Sequence, residues 1–125
     1  MSSQRNVLGG PLATCCTSPM TGFFRTGCCE TSAADAGAHV VCTQVTPEFL
    51  AYLRARGNDL ITPAPQFGFA GLKAGDRWCV CARSWKEAFD AGVAAPIVLA
   101  ATHERALEFM TLEELKAHAI DFEGN

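Results

Sequence analysis

The sequence lacks a long apolar run, and this absence excludes a membrane-spanning helix. The longest such run, Ala91 to Ala101, is interrupted by Pro96 and falls short of the roughly 18 residues that a bilayer requires. The first residues, MSSQRNVLGGPLATCC, also lack the apolar core of roughly 7–15 residues that a secretory signal contains. We therefore expect a soluble, cytoplasmic protein with no membrane partner.

A concentrated basic surface is missing as well. The 10 Lys and Arg residues are scattered along the chain and are outnumbered by 13 Asp and Glu, which gives a formal net charge of −3. Because binding to phosphates depends on grouped cations, we exclude nucleic acid as a partner. The identity of any other partner stays open, with a homo-oligomer among the options.

What the sequence has in quantity is cysteine, with seven in 125 residues. Without a secretory signal, these cysteines predict a reducing compartment, where clustered thiols more often bind metal or do redox chemistry than form disulfides. Cys28 and Cys29 are adjacent, and neighbouring Cα atoms lie about 3.8 Å apart, which is closer than an unstrained disulfide allows. We therefore predict that Cys28 and Cys29 do not bond to each other.

The length predicts one domain over residues 1–125, with residues 1–5 flexible. Gly and Pro are dense between Gly9 and Gly37, so the N-terminal third should be rich in loops. The β-branched stretch HVVCTQV predicts a strand over residues 39–45. It is followed by a helix with Thr46 as its N-cap, Pro47 at its first position and Gly57 as its end.

Further regular elements are predicted in the second half. The alternation in DRWCVCA indicates a strand at residues 76–82, and Ser84 with Glu87 forms a capping box for a helix that ends at Gly92. APIVLAA and THERALEFM are predicted as strands, the latter with a helix capped by Thr102 as its alternative. Thr111 and Glu114 cap a final helix. The sequence as a whole predicts a small α+β domain, with a few-stranded mixed sheet and about three short helices.

Six stretches of the chain carry a resemblance: NVLGGPLATC, PMTGFFRTGCC, HVVC, RGNDL, GLKAGDRWCVCARSWKEAFDAG and ATHERALEFMTLEELKAHAID. From Asn6 to Asp121 the chain resembles a family of uncharacterised, mostly bacterial proteins, the domain of unknown function 2237. The family pattern has cysteines at the positions of Cys15, Cys28, Cys29, Cys42, Cys79 and Cys81. Cys16 departs from this pattern. The resemblance implies no activity, ligand or mechanism, so whether the protein is an enzyme stays undecided.

Our first hypothesis is a site for a thiophilic metal ion such as zinc. Cys79 and Cys81 lie on one face of a predicted strand with Cα atoms about 6.6 Å apart, so both sulfurs can approach one ion. His39 would add a nitrogen donor near Cys42. The alternative for each cysteine is a small buried hydrophobe. The predicted metal ligands are Cys15, Cys28, Cys29, His39, Cys42, Cys79 and Cys81.

Two other functions fit the same residues. In a thiol redox or thiol-transfer enzyme, Cys28 or Cys29 would attack a disulfide and a neighbouring thiol would resolve it. In an accessory binding module, the loop TPAPQFGFAG would present Phe67 and Phe69. Both thiol hypotheses require sulfurs of the N-terminal third to pack against the strand that Trp78 and Trp85 flank.

Acid–base chemistry has one further candidate outside the cysteines. His103 stands next to Glu104, which would orient its imidazole for proton transfer. The alternative is an ordinary polar turn, and the sequence favours that alternative.

Overall fold

Two strands form the sheet of this fold. In the computed structural model, which describes residues 4–17, 20–67 and 69–122, β1 (His39–Gln44) pairs with β2 (Arg77–Cys81) in antiparallel orientation. Cys42 lies directly opposite Cys79, and a bulge after His39 shifts the register at the start of β1. The structure confirms both of these predicted strands and the small α+β class.

Both faces of the sheet are covered, which explains the composition of its strands. The four central residues of β1 are fully buried, namely Val40, Val41, Cys42 and Thr43. β2 is buried over its three central residues, Trp78, Cys79 and Val80. β-branched and aromatic side chains fit such a pleated surface, because their bulk lies close to the backbone.

The helix α1 (Pro47–Ala55) begins and ends as the sequence predicts. The Thr46 hydroxyl accepts a hydrogen bond from the N–H of Phe49 at 3.1 Å, and Pro47 occupies the first helical position. Gly57 follows the helix with a φ of 93°, which a residue with a Cβ seldom adopts. The buried face of the helix consists of Phe49, Leu50 and Leu53.

The helix α2 (Ala82–Asp90) starts earlier than predicted. The capping box of Ser84 and Glu87 is wrong, because Ser84 already lies inside the first turn. Cys81, the last residue of β2, occupies the N-cap position without a side-chain hydrogen bond, so strand and helix are joined with no loop. Burial fixes this start, since one face of the helix is fully enclosed by the core through Ala82, Trp85 and Ala88.

The strand predicted at residues 95–101 is largely wrong. Ile97 forms isolated bridges with Thr43 and Ala119, and residues 99–101 form a 3-10 turn. The Asp121 carboxylate accepts the N–H groups of Leu99 and Ala100 at 2.8 and 3.0 Å. These two donors are therefore satisfied by a side chain from the C-terminal end of the chain instead of by a neighbouring strand.

The strand predicted within residues 102–110 is also wrong. Glu104–Glu108 is a 3-10 helix, and its N-cap is His103 in place of the Thr102 that the helical alternative specified. The Nδ1 atom of His103 accepts a hydrogen bond from the N–H of Arg105 at 3.0 Å. Because the His103 side chain caps the N–H of Arg105, the chain turns into a 3-10 helix where a strand was predicted.

The last helix, α3 (Leu112–Lys116), confirms its predicted capping box. The Thr111 hydroxyl accepts from the N–H of Glu114 at 3.1 Å, and the Glu114 carboxylate accepts from the N–H of Thr111 at 2.9 Å.

No helix in the part of the chain that the structure describes is long and apolar enough to cross a membrane.

The N-terminal third consists of turns, as its Gly and Pro content predicts. Over the described residues 4–17 and 20–38, the backbone forms turns and isolated bridges in place of helices and paired strands. Of residues 1–5, predicted to be flexible, residues 1–3 lie outside the described part and Arg5 forms a bridge with Pro11.

The hydrophobic core contains both tryptophans. Trp85 is fully buried and its indole N–H donates to the carbonyl of Ala95 at 3.0 Å, while Trp78 is 7% exposed. Each indole thus fills a large volume in the core, and the polar edge of Trp85 is satisfied within it.

Gly22 allows a close approach in the loop that carries Cys28 and Cys29. Its φ is 101°, and a Cβ at this position would lie 2.3 Å from the carbonyl oxygen of Cys28. Gly9 has a similar φ of 88°, but nothing lies within 4 Å of a Cβ built there. Both glycines therefore adopt a positive φ that disfavours other residues. Only at Gly22 would a Cβ also collide with a neighbouring atom.

We expect Gly22→Ala to destabilise the fold far more than Gly9→Ala. Both variants incur the cost of a left-handed backbone, roughly 1–2 kcal/mol, but only Gly22→Ala adds a collision with the backbone of Cys28. Chemical denaturation of the two variants measures the difference. Equal losses in the free energy of unfolding would contradict a tight packing of this loop.

Candidate functional site

Four buried cysteines meet beside the sheet, and we call them the cysteine cluster. Disulfides join Cys15 to Cys42 and Cys29 to Cys79, with Cα atoms 5.7 and 5.3 Å apart. None of the four is more than 4% exposed. The sulfurs of the N-terminal third thus pack against β1 and β2, which confirms the spatial expectation on which both thiol hypotheses depend. The expectation that the cysteines remain reduced thiols is wrong for these four, because packing brings each sulfur within bonding distance of another.

The two disulfides lie against each other. The sulfur atoms of Cys15, Cys29 and Cys79 are all within 4.8 Å of one another, although Cys15 belongs to one disulfide and the other two form the second. Val98 and Ala101 complete the buried group and give it apolar walls. One compact region therefore holds all four sulfurs.

Hydrogen bonds from outside fix the backbone of the cluster. The N–H of Cys79 donates to the buried Thr21 hydroxyl at 2.8 Å, and the N–H of Cys42 donates to the Thr102 hydroxyl at 3.2 Å. The Gly27 carbonyl accepts the N–H of Cys15 at 2.7 Å. The Thr21 hydroxyl thus joins the N-terminal loop directly to β2, so the backbone that carries the sulfurs is held independently of the bonds between them.

The other predicted metal ligands lie outside this cluster. Cys28 is a free thiol 3.9 Å from the Thr14 hydroxyl, and it is not bonded to Cys29, as predicted. Cys81 is also free, and it lies opposite His39 in the register of the sheet. The seven predicted ligands are therefore divided into a group of four sulfurs and three residues outside it.

A cavity of about 370 Å³ lies next to the cluster. The residues that line it include Cys79 of the cluster, Cys81, which is a free cysteine, and His39. Three aromatic residues contribute further to its lining, namely Phe23, Phe69 and Trp78. Phe69 lies against Trp78 with ring centroids 5.3 Å apart, whereas the side chain of Phe67, its partner in the binding-module hypothesis, lies outside the described part.

Asp35 is the residue of this region that the sequence did not reveal. Its fully buried carboxylate lies 2.7 Å from Nδ1 of His39 and accepts hydrogen bonds from the His39 backbone N–H at 2.9 Å and the Thr31 hydroxyl at 3.0 Å. Burial alone raises the pKa of the Asp35 carboxyl, but the hydrogen bonds and charge of His39 with the bond from Thr31 lower its pKa below the ordinary 3.8. The only indication of this pair in the sequence is that Asp35 lies four positions before His39, the first residue of the strand.

His103 does not enter this region as an acid–base group. Its Nδ1 atom caps the following 3-10 helix, and burial lowers the pKa of the imidazole below its ordinary 6.5. A neutral ring with an accepting nitrogen is what this cap requires. The structure therefore favours the polar turn over proton transfer.

Comparison with known proteins gives a family and no activity. A family model described as "Uncharacterized protein conserved in bacteria (DUF2237)" matches residues 5–119. No curated protein matches the chain. The match confirms the resemblance found in the sequence, and the family description specifies no activity.

We expect Asp35→Asn to destabilise the protein in a pH-dependent way. Because the folded-state pKa of Asp35 is lowered, its stabilising effect is fully present above about pH 4 and is lost as the pH falls through the folded value. The variant should lose about 1–3 kcal/mol near neutral pH, as expected for buried hydrogen bonds to a charged group. This deficit should shrink on acidification.

Thermal unfolding over a pH series measures the Asp35 effect. Glu108→Gln is the control, because the Glu108 side chain is 68% exposed and its ion pair with Arg105 is long, at 3.9 Å. A deficit for Asp35→Asn that stayed constant down to acidic pH would contradict an ionised carboxylate at position 35.

Proposed function

The chain belongs to this uncharacterised bacterial family, and from that premise we propose that the reduced cysteine cluster binds a thiophilic metal ion, most simply zinc. The ligands are the thiolates of Cys15, Cys29, Cys42 and Cys79. One observation carries the proposal, namely that sulfurs from two separate disulfides lie within 4.8 Å of one another.

The spacing of the sulfurs suits a tetrahedral ion. With Zn–S bonds of about 2.3 Å, the sulfurs of a tetrahedral site lie about 3.8 Å apart. Three of the four are already within 4.8 Å of one another, and the fourth, that of Cys42, is bonded to Cys15. Opening the disulfides lets the bonded sulfurs separate to the required distance with small side-chain movements.

The donor set and the surroundings support a structural ion. Four thiolates favour zinc over magnesium or calcium, which prefer oxygen ligands. The four residues are buried, so no position is left open to solvent, as in the closed sites of structural zinc. The metal would therefore brace the N-terminal third against the sheet.

Metal and disulfides are alternative states of the same four sulfurs. Reduction of the two disulfides takes up four electrons from an external thiol or phosphine and four protons from that thiol or from water, and binding of the ion then displaces the four protons. Disulfides that close loops of 27 and 50 residues contribute about 3–4 kcal/mol each in the chain-entropy description. Structural zinc contributes roughly 10–16 kcal/mol in small peptides. A bound ion could therefore replace the disulfides in holding the N-terminal third against the sheet.

Burial argues against the cluster as a centre for thiol transfer. An exchange reaction needs direct approach of an attacking thiolate to a disulfide sulfur. Cys29 is 0% exposed and Cys79 is 2% exposed, so the disulfide between them is closed to a large partner. The redox hypothesis for Cys28 and Cys29 therefore has less support than metal binding.

We expect the anaerobically reduced protein to bind one zinc ion per chain. Cys42→Ser should abolish tight binding, because it removes one of the four thiolates. Cys16→Ser should leave binding unchanged, since Cys16 is a free thiol next in sequence to Cys15 but outside the cluster. Elemental analysis after desalting measures the stoichiometry, and the absorption of the cobalt-loaded protein reports a tetrahedral sulfur site.

Protein that keeps both disulfides serves as a second control and should bind no zinc in this cluster. The proposal fails if the reduced protein retains no metal after desalting. It fails equally if Cys16→Ser weakens binding as much as Cys42→Ser.

A further inference from the structure

The cavity beside the cluster holds a second thiol with a different environment. We propose that Cys81 is a catalytic nucleophile for acyl transfer, with His39 as its base and Asp35 as the residue that positions His39. This inference does not rest on the metal site, because it uses neither the cluster sulfurs nor a bound ion.

The sheet brings the thiol and the imidazole to one place. His39 and Cys81 are directly opposite each other at the end of the β1–β2 pair, and both line the cavity. Side chains of opposite residues in an antiparallel pair point to the same face, with Cβ atoms about 4.5–5.5 Å apart. The bulge after His39 disturbs this regular spacing, and among the described residues no hydrogen bond joins the Cys81 sulfur to His39. Rotation about the side-chain bonds therefore has to bring the sulfur to the imidazole.

Asp35 determines which nitrogen of His39 is available. Its carboxylate accepts the proton of Nδ1 at 2.7 Å, and two further donors hold that carboxylate in place. The lone pair of the neutral ring then resides on Nε2, the nitrogen that a base must offer. The Asp35 side chain is fully buried and fixed by its hydrogen bonds, whereas the His39 side chain is 43% exposed and therefore accessible.

The backbone before His39 is strained in a way that supports this placement. Ala38 is fully buried and has a φ of 50°, a left-handed conformation that a non-glycine residue adopts only when its surroundings enforce it. At Gly37, a Cβ would lie 2.9 Å from Cε1 of His39. The turn thus leaves room for the imidazole.

The three free thiols provide an internal comparison. Cys16, Cys28 and Cys81 are all partly buried, but Cys81 is the one opposite an imidazole in the sheet register. Cys28 has a hydroxyl neighbour, Thr14, at 3.9 Å. If exposure alone determined reactivity, the three thiols would react at similar rates. General-base assistance by His39 instead predicts that Cys81 reacts faster than Cys16 and Cys28.

The cavity indicates a small apolar or aromatic acyl group as the substrate. Its volume of about 370 Å³ is at the lower end of the roughly 300–1,000 Å³ of small-molecule sites. The rings of Phe23 and His39 are stacked, with their centroids 6.3 Å apart and their planes inclined by 22°, and Phe69 and Trp78 are also part of the lining. The exposed Arg25 and Asp59 contribute opposite charges, so the lining selects no charged group.

The reaction conserves atoms and needs no oxidant. His39 takes the proton of the Cys81 thiol, the sulfur bonds to the carbonyl carbon of an ester or thioester, and the bond to the leaving group breaks as His39 returns the proton to it. Water, deprotonated by His39, then attacks the acyl-cysteine and releases a carboxylic acid. The thiol of Cys81 is restored.

We expect p-nitrophenyl phenylacetate to acylate Cys81 about 10²–10⁴-fold faster than Cys28 in the metal-free protein with both disulfides intact. Release of p-nitrophenol gives the rate, and peptide mass spectrometry gives the acylated position. His39→Asn should lower the ratio of acylation at Cys81 to that at Cys28 to near unity, because it removes the base and leaves Cys28 untouched. Asp35→Asn should lower the same ratio in part.

Unfolding of a variant would expose both thiols and also move the ratio toward unity, so the ratio is measured at a temperature below the thermal unfolding transition of every variant. Cys81→Ser should abolish the fast phase while slow acylation of Cys28 continues. Equal rates at Cys81 and Cys28 in the native protein would overturn the proposal, as would an unchanged ratio in His39→Asn. Neither result bears on zinc binding, which is tested in reduced protein.

Discussion

The fold depends on the attachment of an irregular N-terminal third to a sheet of only two strands. Cys42 and Cys79 face each other across the sheet, yet they are not bonded to each other. Each instead bonds a cysteine of the N-terminal loop. Cys42 on β1 is bonded to Cys15, and Cys79 on β2 is bonded to Cys29. The loop is therefore fixed at two points on neighbouring strands, which restrains both its position and its rotation.

This attachment also shapes the cavity. The loop between Cys15 and Cys29 supplies Phe23 to the cavity wall, and β2 supplies Cys81. Gly22 permits the close backbone contact inside this loop, and the Thr21 hydroxyl ties it to the N–H of Cys79. A cluster held by disulfides or by metal would keep the loop against the sheet, whereas a reduced, metal-free cluster would leave the hydrogen bonds and packing contacts such as Phe23 on His39.

The sequence predicted those features that local chemistry determines. The strand at His39, the caps of Thr46 and Thr111 and the loop-rich N-terminal third all follow from short patterns, and each is confirmed. Convergence of the cysteines was also predictable, because so many thiols in a small core are hard to explain as filling. Their pairing was not, since adjacency along the chain says nothing about which sulfur lies across the sheet.

What the sequence missed depends on distant partners. Asp121 satisfies the N–H groups of Leu99 and Ala100 from 22 and 21 positions away, so an apolar stretch that looks like a strand becomes a 3-10 turn. The start of α2 was missed because Cys81 serves both as the end of a strand and as a helix cap without a side-chain bond. In both cases burial and long-range hydrogen bonds outweigh local propensity.

The alternation of Cys79 and Cys81 explains how two thiol environments arise from one short strand. Residues two apart in a strand point to the same face, with Cα atoms about 6.6 Å apart. Of these two, however, Cys79 is bonded to Cys29 and Cys81 is a free thiol. Cys79 is 2% exposed and is covered by the N-terminal loop, whereas Cys81 is partly exposed at the strand end, where the bulge after His39 and the start of α2 open the structure. The position of each cysteine along the strand therefore separates a buried sulfur that attaches the N-terminal loop from a free sulfur that is partly exposed.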